Sequence, residues 1–293
     1  MIGTRWLPDD EASPFRGFED LMPYRVQDIL LVSSLYDAFT LQEDGRLNEL
    51  VITEFVELDA QHTPRITHVS SGADAVRMAR EQRRFNLIIT AVDPGDMDAT
   101  ELARSAREAG LDVPVVVLGY DHRELADFVA RANMSDIAFC VLWQGDARIL
   151  LAIVNQVEDQ RNVAYDATRT GVRVILLVED NIRDYSSLLP KLYTEIIHQS
   201  ATALGEETNL SHKLVRLRAR PKILLCTTFE DAWRRALAYH DYLLGVISDV
   251  EFPRGGDLSD DAGFALARAL RERKSDVPIL LQSARAEHES RAL

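Results

Sequence analysis

The sequence predicts an α/β protein that contains two doubly wound parallel sheets. Short apolar runs such as Val113–Leu118 have the composition of strands that are buried on both faces. Between these runs lie stretches such as 73–80, whose apolar residues recur with helical spacing. This alternation of strand and helix occurs twice along the 293 residues, a length that is sufficient for two ordinary domains.

The first half contains five predicted strands and the helices that connect them. The strands are expected at 28–32, 66–69, 86–90, 113–118 and 137–142, and helices at 73–80, near 100–109, near 124–132 and from 146 to beyond 157. Right-handed crossovers then favour the flavodoxin-like strand order 2-1-3-4-5. We assign this domain to residues 25–158. Residues 1–24, rich in Pro, Asp and Phe, are predicted to form an N-terminal arm.

The second half repeats the pattern but stops after its fourth strand. Strands are expected at 172–178, 222–226, 243–248 and 277–282, and helical stretches at 184 to about 220, 229–239 and 263–273. Since no fifth strand and fifth helix follow before Leu293, we expect a fragment of a longer protein, or a sheet that another segment or subunit completes. The second domain is assigned to 172–293, after a polar linker at 159–171.

Charge and hydropathy exclude several classes of function. The net charge of −14 argues against a nucleic-acid-binding surface. No apolar stretch reaches the roughly 18 residues of a membrane span, and Met1–Tyr24 lacks the apolar core of a signal peptide. Cys140 and Cys226 lie in apolar strands, which indicates buried free thiols and a reducing compartment, so we expect a cytoplasmic location.

Acidic and hydroxyl side chains follow three strands of the second domain. Glu179 and Asp180 close its first strand, Asp249 closes the third, and Ser283 follows the fourth. Because the carboxyl ends of parallel strands share one edge of the sheet, these groups are expected to gather in one shallow pocket. Such a pocket suits a hard divalent cation and chemistry on a phosphoryl group.

These motifs resemble the receiver domains of two-component response regulators. The resemblance rests on Leu176–Asn181 (LLVEDN), on Asp249–Pro253 (DVEFP) and on Val277–Ala284 (VPILLQSA), and it covers nearly all of 172–293. It implies that Asp249 accepts a phosphoryl group, that Glu179 and Asp180 hold Mg²⁺ with the backbone carbonyl of Glu251, and that Ser283 is the switch hydroxyl.

The same resemblance implies the partners of the chain and its lack of enzymatic turnover beyond self-catalysed phosphotransfer and dephosphorylation. The phosphodonor would be a sensor histidine kinase or a phosphotransfer protein. A homodimer and an output domain beyond Leu293 would also fit a member of this family. The lysine that the family places after strand five has no counterpart here, because the second domain ends at strand four.

The first domain resembles a degenerate receiver domain. Its first strand ends at Ser33 and Ser34 in place of an acidic pair, Ala91 occupies the phosphoacceptor position, and Gly119 replaces the switch hydroxyl. Trp143 falls near the position of the family's lysine. We therefore interpret 25–158 as a pseudo-receiver that is not phosphorylated. A pseudo-receiver ahead of a receiver also resembles the regulatory front end of phosphoenolpyruvate-utilising enzymes.

Two other functions fit parts of the pattern. Both domains could form a protein-interaction scaffold in which the acidic residues no longer act. A phosphatase of the haloacid dehalogenase type has an aspartate nucleophile and a second acid two residues later, as in Asp249 and Glu251. Such enzymes begin the chain with this motif, whereas here an acidic pair precedes it on an earlier strand. The stretch Gly255–Asp261 lacks the ligand spacing of an EF-hand and is predicted to be a mobile acidic loop at the rim of the pocket.

Overall fold

The computed structural model of the chain describes residues 21–34, 37, 64–202, 218–273, 276–283 and 285. Most of the predicted N-terminal arm (1–20) lies outside these residues, and so does the 203–217 part of the predicted long helical stretch. The described residues divide into two compact units. The first-sheet unit contains 25–157 and 181–195, and the second-sheet unit contains the described residues of 21–24, 158–180 and 196–293.

The first-sheet unit confirms the predicted strand order. Its strands pair in parallel in the order β2-β1-β3-β4-β5, and its apolar core lies between the sheet and the helices that flank it. The elements are β1 (Asp28–Val32), β2 (Arg65–Val69), α1 (Gly72–Gln82), β3 (Leu87–Thr90), α2 (Ala99–Glu108), β4 (Val115–Gly119), α3 (His122–Arg131), a 3-10 turn (Met134–Asp136) and β5 (Phe139–Leu142).

Two helices contribute residues to both units. They are α4 (Arg148–Thr170) and α5 (Ile182–Thr202). In the first-sheet unit, the start of α5 satisfies backbone groups of the edge strand β5. The Tyr185 hydroxyl donates to the carbonyl of Cys140 at 2.7 Å, and the backbone N–H of Leu142 donates to the Ser186 hydroxyl at 2.9 Å. The second domain was predicted to start at residue 172, so these contacts between β5 and α5 were not expected. They join residues about 45 positions apart, and no local pattern in the sequence indicates them.

The second-sheet unit contains four parallel strands in the order β7-β6-β8-β11. Its apolar core is formed by the strands together with two helices that connect them. The elements are β6 (Val174–Val178), β7 (Lys222–Cys226), α6 (Phe229–Ala238), β8 (Leu243–Asp249), β9 (Phe252–Arg254), β10 (Asp257–Ser259), α7 (Ala262–Arg273) and β11 (Ile279–Gln282). The fold class predicted from the sequence is thereby confirmed in both units.

Part of the predicted mobile loop is a β-hairpin. Strands β9 and β10 pair antiparallel, with Arg254 opposite Asp257, so that Gly255 and Gly256 form a two-residue turn. Both glycines have positive φ, at 68° and 95°, as the favoured hairpin turn of this length requires. The acidic residues of this segment suggested a solvated loop, so the turn was not predicted from the sequence.

The predicted linker is helical over most of its length, and three of its polar residues, Asp159, Asn162 and Asp166, are buried. Asp159 and Asp166 on α4 are fully buried. The Asp159 carboxylate lies 2.9 Å from the Arg220 guanidinium, and the Asp166 carboxylate lies 3.1 Å from the Lys222 ammonium. Asp159 also accepts the backbone N–H of Ile223 at 2.8 Å, which joins α4 to β7. Burial lowers the pKa of Lys222, and the two carboxylates oppose this shift.

The two cysteines are free and buried, as predicted. Burial raises the pKa of the Cys140 thiol to about 12 and raises that of Cys226 as well. Neither side chain is therefore disposed to act as a thiolate at neutral pH. Within the part of the chain that the structure describes, no helix combines the length and the apolar character that a bilayer crossing needs.

We expect Lys222→Met to lower the free energy of unfolding by about 3–5 kcal/mol, because a buried carboxylate then loses its cation. Urea denaturation monitored by circular dichroism measures the change. Arg234→Met is the matched control, since Arg234 pairs with Asp231 on the surface and is 72% exposed. An exposed pair contributes about 0–1 kcal/mol. Equal stability of the two variants would contradict the role assigned to the buried charges.

Candidate metal and phosphoacceptor site

Strand register brings the predicted site residues to one edge of the second sheet. Val178 at the end of β6 pairs with Ser248 on β8, so Glu179 and Asp249 both follow this paired position. On the other side of β8, Asp249 pairs with Gln282, the residue that precedes Ser283. The side chains named from the sequence therefore lie where three adjacent parallel strands end.

Three carboxylates lie close together at this edge. One oxygen from each of Glu179, Asp180 and Asp249 lies within 4.8 Å of the others. Glu179 is buried, and the two aspartates are half-buried. The backbone N–H of Glu179 donates to the carbonyl of Cys226 at 2.9 Å, which holds the chain after β6 against β7. The predicted clustering of these acids is therefore present, whereas their chemical roles stay predictions.

The donor set of this cluster fits a hard divalent cation. Mg²⁺ binds oxygen at about 2.1 Å, so two ligands on opposite sides of the ion are about 4.2 Å apart. Carboxylate oxygens within 4.8 Å of one another reach this spacing through small side-chain rotations. Mg²⁺ also keeps several of its waters and accepts few protein carboxylates, which suits a shallow, partly open site.

Glu251 and Ser283 lie beside the carboxylate cluster and are held by one residue. The Glu251 carboxylate pairs with the Arg285 guanidinium at 2.8 Å. The backbone N–H of the same arginine donates to the Ser283 hydroxyl at 3.0 Å. The Glu251 side chain is thus engaged by an arginine, and the predicted roles of its backbone carbonyl and of the Ser283 hydroxyl stay predictions.

The start of α7 packs directly against the backbone of Asp249. A Cβ atom at Gly263 would lie 2.3 Å from the Asp249 carbonyl oxygen and 2.9 Å from the Cα of Val250. The backbone N–H of Gly263 donates to the carbonyl of Val250 at 3.0 Å. Only glycine permits this approach. The sequence does not indicate this role of Gly263, because no local pattern distinguishes it from other helix residues.

The β9–β10 hairpin begins three residues after Asp249 and is braced at its turn. The backbone N–H of Gly255 donates to the Glu230 carboxylate at 2.9 Å. This hydrogen bond, the largest influence, lowers the pKa of Glu230. The Arg254 guanidinium lies 4.8 Å from the centre of the Phe229 ring. The segment after the candidate phosphoacceptor is therefore fixed to the start of α6 at two points.

The corresponding edge of the first sheet is occupied by small residues. Ser33 follows β1, and its hydroxyl lies 3.2 Å from the Nε2 atom of His68. Ala91 follows β3 and is buried, and Gly119 ends β4. Among the described residues of this edge, no three His, Cys, Asp or Glu side chains gather as they do in the second sheet.

Two aspartates of the β3–α2 loop cap helices. Asp98 accepts the backbone N–H of Glu101 at the start of α2. Asp96 accepts the backbone N–H groups of Gly72 and Ala73, at 2.6 and 2.9 Å, at the start of α1. Burial raises the pKa of Asp96, but the hydrogen bonds together outweigh it, so that the pKa is lowered. These two acids therefore serve as acceptors for the backbone N–H groups at the starts of α1 and α2.

No protein-family model and no curated protein sequence matches the chain. The solved structures that are similar to this chain include three whose descriptions mention response regulators or signal receiver domains. One is from a family of redox sensors in the streptococci that evolved from two-component response regulators (19% identity, TM-score 0.35); 47% of this chain matches 54% of that chain. Another is the signal receiver domain of a candidate Luxo repressor protein from Vibrio parahaemolyticus (16% identity, TM-score 0.34, 50% of this chain and 98% of that one).

A third is the signal receiver domain of an HD domain-containing protein from Pseudomonas fluorescens Pf-5 (17% identity, TM-score 0.32, 49% of this chain and 94% of that one). The chain spans about half the length of the redox sensor that it matches. At these identities and scores the likeness concerns the fold alone.

We expect Gly263→Ala to destabilise the second-sheet unit by about 1–3 kcal/mol, because the added methyl group displaces the Asp249 backbone. Inside a helix the same substitution ordinarily stabilises a protein by about 0.5–1 kcal/mol. The sign of the change, measured by chemical denaturation, therefore separates the two effects. A stabilised variant would show that α7 and the Asp249 loop do not approach each other so closely.

Proposed function

We propose that the carboxyl edge of the second sheet is the phosphoacceptor site of a receiver-like signalling module. Asp249 accepts the phosphoryl group, and Glu179 and Asp180 hold Mg²⁺. The main support is the approach of the three carboxylates to within 4.8 Å of one another at the ends of β6 and β8. A receiver-like fold agrees with this proposal, but the chemistry rests on the residues of the site.

The proposed reaction needs few groups from the protein. A carboxylate oxygen of Asp249 attacks the phosphorus atom, a new P–O bond forms, and the bond from phosphorus to the donor breaks in line with it. Bound Mg²⁺ would supply positive charge to the phosphoryl oxygens. Glu179 and Asp180 would hold the ion. Ser283 is one position beyond the residue that pairs with Asp249 and would hydrogen-bond a phosphoryl oxygen.

The phosphodonor in this proposal is a phosphohistidine on a sensor histidine kinase or a phosphotransfer protein. Transfer from such a donor leaves the histidine free and the phosphoryl group on Asp249. The added charge would then alter the loop that carries Ser283, which makes the module a two-state switch with a local trigger. The protein in this proposal is a signalling component without turnover of a separate substrate.

The first sheet has a different part in the proposal. Ala91 directly follows β3, at the position that corresponds to Asp249 at the end of β8, and an alanine side chain offers no nucleophile. Ser33 and Ser34 stand where Glu179 and Asp180 follow β6, and two hydroxyls cannot supply the charge of two carboxylates. The first-sheet unit is therefore proposed to act as a pseudo-receiver that packs against or contacts a partner.

We expect the chain to be phosphorylated when it is incubated with acetyl phosphate and MgCl₂, with the label on Asp249. Intact-mass spectrometry detects the product, and hydroxylamine treatment distinguishes an acyl phosphate from a phosphoserine. Asp249→Asn should abolish labelling, because an amide oxygen is a far weaker nucleophile than a carboxylate.

Asp257→Asn is the matched control for this experiment. Asp257 lies on the β10 strand of the hairpin, is exposed, and is outside the three-carboxylate cluster. Its variant should be labelled as the wild type is. Absence of labelling in the wild type, or undiminished labelling of Asp249→Asn, would refute the phosphoacceptor assignment.

We expect Mg²⁺ to bind at millimolar concentrations and its affinity to fall at least tenfold in Asp180→Asn, because one anionic ligand is lost. Isothermal titration calorimetry measures both. Asp260→Asn controls for the general loss of negative charge, since Asp260 is exposed and outside the cluster. Equal affinity of the two variants, or no binding by the wild type, would count against a metal site and would favour a scaffold.

A further inference from the structure

We propose that Arg285 supplies a protein cation to the phosphoryl group that Asp249 accepts. This inference rests on the proposed function and extends it by one residue. Phosphoryl transfer develops charge on the phosphoryl oxygens, and fixed cations at those oxygens are among the largest contributions that a protein makes. The guanidinium group is well suited to this, because its planar array of donors matches two oxygens of a phosphoryl group.

The backbone places Arg285 beside the phosphoacceptor loop. Gln282 ends β11 opposite Asp249, and its carbonyl accepts the backbone N–H of Val250 at 3.1 Å. The chain that follows β11 and the chain that follows β8 therefore continue side by side beyond the sheet. Arg285 lies three residues beyond the end of β11, on the same edge as the carboxylate cluster.

Two contacts of Arg285 tie it to the functional groups of this edge. Its backbone N–H donates to the hydroxyl of Ser283 at 3.0 Å. Its Nε atom lies 2.8 Å from the Glu251 carboxylate, and Glu251 is only two residues beyond Asp249. The guanidinium is thus already held by an anion adjacent to the position that the phosphoryl group would occupy.

The Glu251–Arg285 ion pair is weak enough to exchange partners. The Arg285 side chain is 52% exposed and that of Glu251 is 22% exposed, so that water screens their attraction. A phosphoryl group on Asp249 carries more negative charge than a carboxylate and offers several acceptor oxygens. Arg285 then moves from Glu251 to the phosphoryl group, and its backbone contact carries this movement to Ser283.

The reaction balances without any further reactant. With acetyl phosphate as donor, a carboxylate oxygen of Asp249 forms the new P–O bond. The bond between phosphorus and the acetyl oxygen breaks, and acetate leaves with the electron pair of that bond. Arg285 keeps its protons throughout and contributes charge and hydrogen bonds only.

The test compares initial rates of labelling by acetyl phosphate at saturating MgCl₂. Arg285→Ala should label about tenfold more slowly than the wild type, whereas Arg285→Lys should recover much of the rate, because the positive charge is restored. The affinity for Mg²⁺ should not fall in Arg285→Ala, since removal of a nearby cation cannot weaken the binding of another. The rate difference should also shrink at high ionic strength.

Two further variants separate a direct contact from a structural one. Arg234→Ala removes an exposed guanidinium from the surface of α6, away from the phosphoacceptor loop, and should leave the rate unchanged. Glu251→Gln keeps the backbone carbonyl that is predicted to hold Mg²⁺ and releases Arg285 from its ion pair. The rate should rise, because the guanidinium no longer has to leave a carboxylate, and a slower rate would overturn the inference. A labelled wild type with Arg285→Ala labelled equally fast overturns this inference alone. An unlabelled wild type overturns the phosphoacceptor assignment together with it.

Discussion

The candidate site depends on the parallel, in-register pairing of β6, β8 and β11. A polar residue ends or directly follows each of these strands, but only their common direction puts the three ends on one edge of the sheet. The pairs Val178–Ser248 and Asp249–Gln282 set how far each strand extends. A shift of one residue in either pair would turn a carboxylate to the opposite face of the sheet. The chemistry proposed for the site is thus a direct consequence of backbone hydrogen bonding.

The second sheet carries charged groups at both ends, in two different arrangements. At the end where β7 begins, two cations and two carboxylates are fully buried and lie in contact with one another. At the opposite edge, one oxygen from each of three carboxylates lies within 4.8 Å of the others, and their like charges repel one another. The first arrangement is balanced and fixes α4 to β7. In the second, a bound cation would relieve this repulsion.

The two sheets show that the same topology can hold different chemistry. Both have parallel strands in a corresponding order, and in both the residues at the ends of the first and third strands lie at the carboxyl edge, where ligands of such folds bind. The second sheet places acids at these positions, and the first places Ser33 and Ala91 there. The two sheets therefore differ at this edge in a few side chains on a similar scaffold, and the proposed function rests on those of the second sheet.

From the sequence alone, the fold class, the strand order of the first sheet and the clustering of Glu179, Asp180 and Asp249 could be predicted. These features depend on local apolar patterns and on the rule that parallel strands share an edge, both of which are visible along the chain. The hairpin at Gly255 and Gly256 was missed because its acidic residues resemble a solvated loop. Residues 159–170 were assigned to a linker because their polar side chains suggested exposure to solvent, whereas they continue the helix α4.

Tertiary structure determines which distant groups surround each residue and whether a polar side chain is buried or exposed. Asp159 can be buried because Arg220, 61 residues away, neutralises its charge. Glycine is required at position 263 because the Asp249 carbonyl lies so close that there is no room for a Cβ atom. The position of Arg285 beside Glu251 follows from the pairing of β8 with β11 in the same way. Local sequence determines which faces of an element are apolar. Only folding determines which distant residue meets each polar group, because that partner is set by register and packing and not by neighbouring residues.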